Sequence, residues 1–216
     1  MDLAGKVALV TGAGSGLGRS IALALARAGT SLALIDLDEG TARATLDAAG
    51  AEGAVAAADV ADTRAVGQAV EDLAGRLGAP DVVVNNAGIA GAGRRPLHET
   101  SLEDWERVLA VNLTGAFLVC RAALPSMLDR GAGVIVNVAS AGGLVALPGR
   151  SGYAASKAGL IHLTRTLAVE YAEAGIRANA LCPGYVDTPL VRASPADPER
   201  AARLMRMIPM RRVAQP

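Results

Sequence analysis

Aromatic residues are scarce in this 216-residue chain: one Trp, one Phe and three Tyr, or 2% of the sequence. That leaves no platform on which nucleic-acid bases could stack. A surplus of positive charge is missing too, since 21 Lys+Arg balance 21 Asp+Glu. Nucleic-acid binders carry a basic surplus or a basic face, and Arg211–Arg212 is too short a cluster to supply one. No nucleic-acid partner is expected. The two cysteines, Cys120 and Cys182, lie far apart, with no second Cys or His at metal-ligand spacing. A disulfide framework and a zinc site are thereby disfavoured, and no metal is expected. No uninterrupted apolar run approaches the roughly 18 residues of a membrane span. The opening MDLAGKVALVTG lacks the basic-then-apolar layout of a signal peptide. A cytoplasmic protein with no membrane partner is the expectation.

What the chain has in abundance is aliphatic side chains and glycine, with 51% hydrophobic residues and 25 Gly. They fall into short β-branched runs alternating with longer Ala/Leu-rich segments. Strands are predicted over 6–11, 31–36, 54–60, 81–88, 133–140 and 176–184. Helices are predicted over 17–28, 39–49, 63–78 and 151–174, with a long helical pattern over 102–130 broken near Pro125. Within 63–78, apolar Val66, Val70, Leu73 and Leu77 recur at helical spacing. This alternation predicts an α/β fold, a doubly wound parallel sheet of Rossmann type with helices on both faces. No repeat, low-complexity segment or linker interrupts it, so residues 1–216 are expected to form one nucleotide-binding and catalytic domain.

The first strand runs into TGAGSGLG, residues 11–18, with glycines at 12, 14, 16 and 18. The spacing Gly12-x-x-x-Gly16-x-Gly18 departs from the common GxGxxG pattern, because Leu17 stands where that motif ends. The physical requirement is similar: a sharp turn, a close approach to a pyrophosphate, and a helix whose first amides face the phosphates. Asp36 closes the second strand, where a carboxylate can accept hydrogen bonds from adenosine ribose hydroxyls and repel a 2′-phosphate. Its neighbours in that role, Ser15 and Leu37, are not basic, so NAD is expected over NADP. The competing reading makes Asp36 the cap of the next helix.

The ordered set TGAGSGLG, Asp59-Val60, NNAG at 85–88, Asn112, Ser140, YAASK at 153–157 and Pro183-Gly184 resembles the short-chain dehydrogenase/reductase family. The resemblance runs from residue 3 to at least residue 190. It implies NAD(P) as cosubstrate and catalysis by Asn112, Ser140, Tyr153 and Lys157. It further implies that Asp59 and Val60 border the adenine and that Asn86, Ala87 and Gly88 line the ribose side. Backbone at Val186 and the Thr188 hydroxyl are candidates for holding the carboxamide. The chemistry is consistent with the residues themselves. Tyr153 and Lys157 lie one helical turn apart. A free tyrosine, with a pKa of about 10, is a poor base at neutral pH, and an adjacent ammonium favours the phenolate. Tyr153 can then take the proton of an alcohol as hydride leaves its carbon. Ser140 can hold the substrate oxygen, Lys157 can bind ribose hydroxyls, and Asn112 can hold a water in a relay to Lys157. Taken singly, each has a plainer reading: surface neighbours, a cap, a solvated Asn.

Other residues invite structural readings. His98 and His162 have no catalytic partner in a recognisable motif, and Cys120 reads as a packed small hydrophobe. Met205, Met207 and Met210 follow a Pro-rich stretch over 183–198, and suit either an adaptable substrate pocket or a helix covering the core. The family resemblance also implies a further helix and a seventh strand after RRVAQP; without them the sixth strand is expected to be an exposed edge. A dimer through helices 102–130 and 151–174, or a tetramer, is expected. The function expected is NAD-dependent interconversion of a small-molecule secondary alcohol and a ketone. The alternatives are reduction of a 3-oxoacyl thioester, or nucleotide binding without turnover.

Overall fold

A computed structural model describes residues 3–192 and 205–216. Six strands form a wholly parallel sheet: β1 (Val7–Thr11), β2 (Ser31–Asp36), β3 (Gly53–Ala57), β4 (Val82–Asn85), β5 (Gly133–Val138) and β6 (Ile176–Leu181). Their order is β3-β2-β1-β4-β5-β6. The chain therefore winds outward from β1 in one direction and from β4 in the other. A crevice opens at the strand ends where that direction reverses.

Both faces of the sheet are covered, which is why its central strands read as continuous aliphatic runs rather than alternating ones. On one face Ala8, Val10, Leu32 and Leu34 pack with Ala22 of α1 (Gly16–Arg27) and Ala42 and Leu46 of α2 (Glu39–Ala49). On the other, Leu9, Ile35, Val83 and Ile135 meet Val66, Val70 and Leu73 of α3 (Thr63–Leu77). The same face receives Leu118, Val119 and Met127 of α5 (Gly115–Arg130) and Leu167 of α6 (Ser151–Glu170). Asp38 caps α2 by accepting from the Gly40 and Thr41 amides, Asp62 caps α3, and Ser101 caps α4 (Leu102–Leu109). A short α7 covers Pro189–Arg192.

The expected break at Pro125 is absent: α5 runs through it. The interruption lies earlier, where residues Ala110–Thr114 form a π-helical turn between α4 and α5. The helix expected to reach 174 ends at Glu170, and Gly175, at φ +73°, turns the chain into β6. The helical run Leu102–Arg130 is long and apolar enough by composition to cross a membrane, but half of its most apolar window is buried within the protein. Among the described residues β6 pairs on one side only, with β5. The C-terminal segment folds back beside the cleft region. The Asp187 amide donates to Ala214 O at 2.8 Å and the Ala214 amide to Tyr185 O at 3.0 Å.

A polar chain crosses the buried centre between β4, β5 and α6. Asn85 Nδ2 donates to Asn137 Oδ1 at 2.8 Å, and Asn137 Nδ2 donates to Thr164 Oγ1 at 2.8 Å. Thr164 in turn donates to Leu160 O. All three side chains are at most 4% exposed. Asn137→Ala takes one partner from each of Asn85 and Thr164, leaving Asn85 with Cys120 Sγ and Thr164 with Leu160 O. It is expected to cost about 2–3 kcal/mol in urea unfolding, where a surface substitution costs a few tenths. A loss below about 0.5 kcal/mol would show that the chain contributes little.

Candidate active site

The turn after β1 is built by steric exclusion. Gly12 and Gly16 have φ of +63° and +52°, open to glycine and strained for most other residues. A Cβ on Gly12 would lie 2.9 Å from Ala87 Cα, and one on Gly18 would collide with the Gly12 carbonyl. The turn is stitched to the chain leaving β4. Thr11 Oγ1 accepts from the Asn86 and Ala87 amides, each at 3.1 Å, and Asn86 Nδ2 donates to the Thr11 and Gly12 carbonyls. Ser15 occupies the N-cap of α1, yet its side chain makes no capping bond, and the first turn carries no acidic residue. The first amides of α1 therefore face the crevice with no built-in anion.

Asp36 ends β2 beside this turn. Its Oδ2 accepts from the Gly14 amide at 2.8 Å and its Oδ1 from the Asp38 amide at 3.2 Å. The helix cap is Asp38, not Asp36. Asp36 is instead fixed by backbone donors with lone pairs still directed into the crevice.

The crevice is a cleft of about 350 Å³. Asp36, Leu37, Asp59 and Val60 line it at the β2–β3 side, with Gly12, Ser15, Gly16 and Leu17 next along. Asn86, Ala87 and Gly88 lie between this region and Ser140, Tyr153 and Lys157 on the β5–α6 side, and Pro183, Gly184, Val186 and Thr188 complete the wall. Two expected site residues do not line it. Gly18 lies beneath the turn, where its lack of a side chain allows the Gly12 carbonyl and Asn86 to close in. Asn112, only 1% exposed, sits in the π-helical turn with both amide hydrogens spent, on Ile89 O at 2.9 Å and Ser156 Oγ at 3.0 Å. Its Oδ1 accepts from the Ile89 amide. Asn112 thus ties the cleft wall to α6 and has one lone pair left for any water.

The strongest electrostatic feature is Lys157. It is 4% exposed, and its Nζ donates to Val138 O at 2.8 Å and stands 5.9 Å from the Tyr153 ring centre. A Cβ on Gly88 would come within 3.3 Å of Nζ. Burial pushes this ammonium down to about 8, with Cys182 nearby acting in the opposite direction. Ser140 follows β5 and is indeed a cap: its Oγ accepts from the Gly142 amide at 3.0 Å. Its hydroxyl hydrogen is left to donate, so capping and substrate contact are compatible. Ser156 Oγ donates to Tyr153 O at 2.7 Å, fixing the first turn of α6.

Several lining residues escaped the sequence reading: Arg107 and Val111, four apart on the α4 side, and Ile89, Val138 and Leu190. Helical spacing backward from Gly115 reaches both of the first two, Val111 four residues earlier and Arg107 eight. The three methionines were expected in a pocket or over the core. Met207 and Met210 are 67% and 69% exposed, and none of the three lines the cleft. The Pro-rich stretch over 183–198 falls partly outside the described residues. His98 pairs with Glu99 on the surface, and His162 is exposed on α6.

This architecture, a parallel sheet wound both ways from a glycine turn with a cleft at the reversal point, defines a Rossmann-type α/β protein. Residues 6–199 match the family described as short chain dehydrogenase. The chain belongs to that family, whose members are oxidoreductases acting on CH–OH groups. It is 45% identical to 2-(R)-hydroxypropyl-CoM dehydrogenase of Xanthobacter autotrophicus, over 96% of this chain and 85% of the relative. It superposes on levodione reductase with a TM-score of 0.91 and 38% identity, covering 98% of this chain and 86% of that one. For NAD+-bound xylitol dehydrogenase the TM-score is 0.91 and the identity 34%, covering 100% and 89%.

Burial of Lys157 has a signed consequence for stability. The folded group releases its proton near 8, whereas the unfolded lysine holds it to about 10.4, so between these limits the unfolded state binds more protons. Stability due to this group therefore rises with pH through that window. Without nucleotide, wild type is expected to gain about 2 kcal/mol on a Lys157→Met variant between pH 7 and pH 10, in paired urea titrations. A constant difference would show that the ammonium is not desolvated.

Proposed function

We propose that this enzyme interconverts a small secondary alcohol and a ketone with NAD, using Tyr153 as the proton acceptor and donor. The observation that carries the reading is the convergence of Ser140, Tyr153 and buried Lys157 on one end of the cleft. The glycine turn at the other end cannot accept side chains at Gly12 or Gly18 without losing the contacts between β1, α1 and Asn86.

The dinucleotide fits the residues present. Gly12, Ser15, Gly16, Leu17 and the underlying Gly18 form the pyrophosphate cradle at the α1 N-terminus. Asp36 receives the adenosine ribose hydroxyls, with Leu37, Asp59 and Val60 around the adenine. Asn86, Ala87 and Gly88 line the ribose side, while Pro183, Gly184, Val186 and Thr188 border the nicotinamide and its carboxamide. When bound, the nicotinamide supplies the hydride acceptor or donor. The substrate oxygen is held by the Ser140 hydroxyl and the Tyr153 phenol. Tyr153 takes the hydroxyl proton as the carbon is oxidised and returns it in reduction. Lys157 spends one ammonium hydrogen on Val138 O and keeps two for the ribose and the tyrosine side. Its charge faces the ring on which negative charge develops. Asn112 is a positioning residue through Ile89 and Ser156. Exposed Phe117 on α5 and Val169 on α6 suit a homo-oligomer built on these helices. Placement in the cytoplasm fits two free thiols, Cys120 and Cys182.

The cofactor preference follows from Asp36, whose carboxylate would lie against a 2′-phosphate with no basic side chain at Ser15 or Leu37 to offset it. NAD is expected to bind at least about tenfold more tightly than NADP by calorimetry. Asp36→Ala narrows that gap; equal affinities in wild type would contradict the assignment.

Tyr153→Phe removes one oxygen and leaves the cleft walls in place. Turnover of a secondary alcohol, followed by NADH absorbance, is expected to fall by about 10²-fold or more with NAD affinity nearly unchanged. Near-normal oxidation by this variant would overturn the mechanism.

A further inference from the structure

The face of α6 turned toward α4 and the π-helical turn carries small residues: Gly152, Ser156 and Gly159. A Cβ on Gly152 would lie 3.5 Å from Trp105, and one on Gly159 would lie 2.9 Å from Leu113. The two glycines let α4 and the π-helical turn close in on either side of Ser156, which is 0% exposed. Ser156 stands between Tyr153 and Lys157 on the helix but does not line the cleft.

A hydroxyl has one hydrogen to give and two lone pairs to receive. Ser156 gives its hydrogen to Tyr153 O at 2.7 Å. Toward Asn112 it can then only accept, and Asn112 Nδ2 meets it at 3.0 Å. The other bonds of Asn112 both go to Ile89 in the cleft wall. Nδ2 donates to Ile89 O at 2.9 Å, and Oδ1 accepts from the Ile89 amide at 2.8 Å. Two bonds to one residue leave an amide able to tilt about the line through them. The bond to Ser156, on a different element, is the third point that fixes its plane. That plane sets the direction of the remaining Oδ1 lone pair. A Cβ on Gly88 would lie 3.2 Å from Asn112 Oδ1 and 3.3 Å from Lys157 Nζ. Acceptor and ammonium therefore border the same small space, left by a side chain that Gly88 lacks.

We infer that Ser156 is a positioning residue for hydride transfer: through Asn112 it holds the Ile89 wall and the Oδ1 acceptor in register with Tyr153 and Lys157. This rests on the dehydrogenase reading above and adds to it a residue outside the cleft. The position requires one short group that donates and accepts at once. Serine and threonine satisfy that requirement and alanine does not.

The test compares Ser156→Ala, Ser156→Thr, Asn112→Ala and the double variant Ser156→Ala with Asn112→Ala. Oxidation of a secondary alcohol gives kcat and KM, and calorimetry gives NAD affinity. Each kcat is taken per NAD-binding site, so an unfolded fraction does not count as lost turnover. Ser156→Ala is expected to lower kcat about tenfold, with KM and NAD affinity within about twofold of wild type. Ser156→Thr keeps the hydroxyl and is expected to recover most of the loss. In the double variant, removing Ser156 is expected to cost little beyond Asn112→Ala alone, because the two act through one bond. Near-normal kcat in Ser156→Ala, a loss carried by KM or NAD affinity instead of kcat, or independent effects in the double variant would overturn the proposal. The double variant reads the coupling whether or not the added methyl of threonine fits. A wild-type enzyme that turns over no alcohol would overturn the dehydrogenase reading, and this assignment with it.

Discussion

A buried ammonium sets the geometry on which the rest of the cleft depends. Lys157 Nζ has been taken out of water and pinned to the Val138 carbonyl at the end of β5. Accommodating it requires close approach on two further sides. Gly88 has no side chain, so the chain leaving β4 can pass over Nζ. Gly143 also lacks one, and a Cβ there would stand 2.7 Å from the carbonyl carbon of Lys157. The turn that carries Ser140 therefore lies directly on the backbone of α6. Tyr153, one turn earlier on the same helix, is held relative to Ser140 by this contact rather than by any bond between their hydroxyls. Desolvating a lysine is unfavourable, and a group kept buried at that cost, in a cleft, is a marker of function more than of stability.

The opposite end of the cleft is governed by exclusion instead of charge. A Cβ on Gly12 or Gly18 would collide with the Asn86–Ala87 segment or the Gly12 carbonyl, and Thr11 Oγ1 gathers the two amides that follow β4. The same segment, residues 86–88, thus contacts the glycine turn at its start and Lys157 at its end. A rigid link of this kind fixes the spacing between the phosphate-facing amides of α1 and the Tyr153–Lys157 pair. A dinucleotide has to span that distance, so small shifts in 86–88 would be felt at both ends.

Much of this was legible from residue order alone. The alternation of aliphatic runs and helical segments specified six parallel strands, and the Gly, Asn-Asn-Ala-Gly, Ser and Tyr-x-x-x-Lys sequence located most cleft-lining residues. Local rules failed where tertiary packing outweighed them. Pro125 costs about 3 kcal/mol inside a helix. Burial of Leu118, Val119, Ala123, Leu124 and Met127 on α5 exceeds that. Asn112 was expected to hold a water in a relay to Lys157; the π-helical turn commits both its amide hydrogens to Ile89 O and Ser156 Oγ and leaves one lone pair on its Oδ1, a packing detail no local pattern reveals. The Asn85–Asn137–Thr164 chain depends on the pairing of Asn85 with Asn137 across β4 and β5, a register no single strand reveals. The loops 89–96 and 144–150 are about fifty residues apart in sequence, and contacts such as Arg95–Gly149 and Arg150–Ala90 bring them together.

The cleft depends on Lys157 being a desolvated ammonium at the meeting point of β4, β5 and α6. The most direct measurement is an NMR titration of the 15Nζ resonance, assigned by comparison with Lys157→Met. The expected midpoint is near 8, well below an ordinary lysine, because the group is buried. A midpoint near 10.4, the value of a solvated lysine, would contradict it.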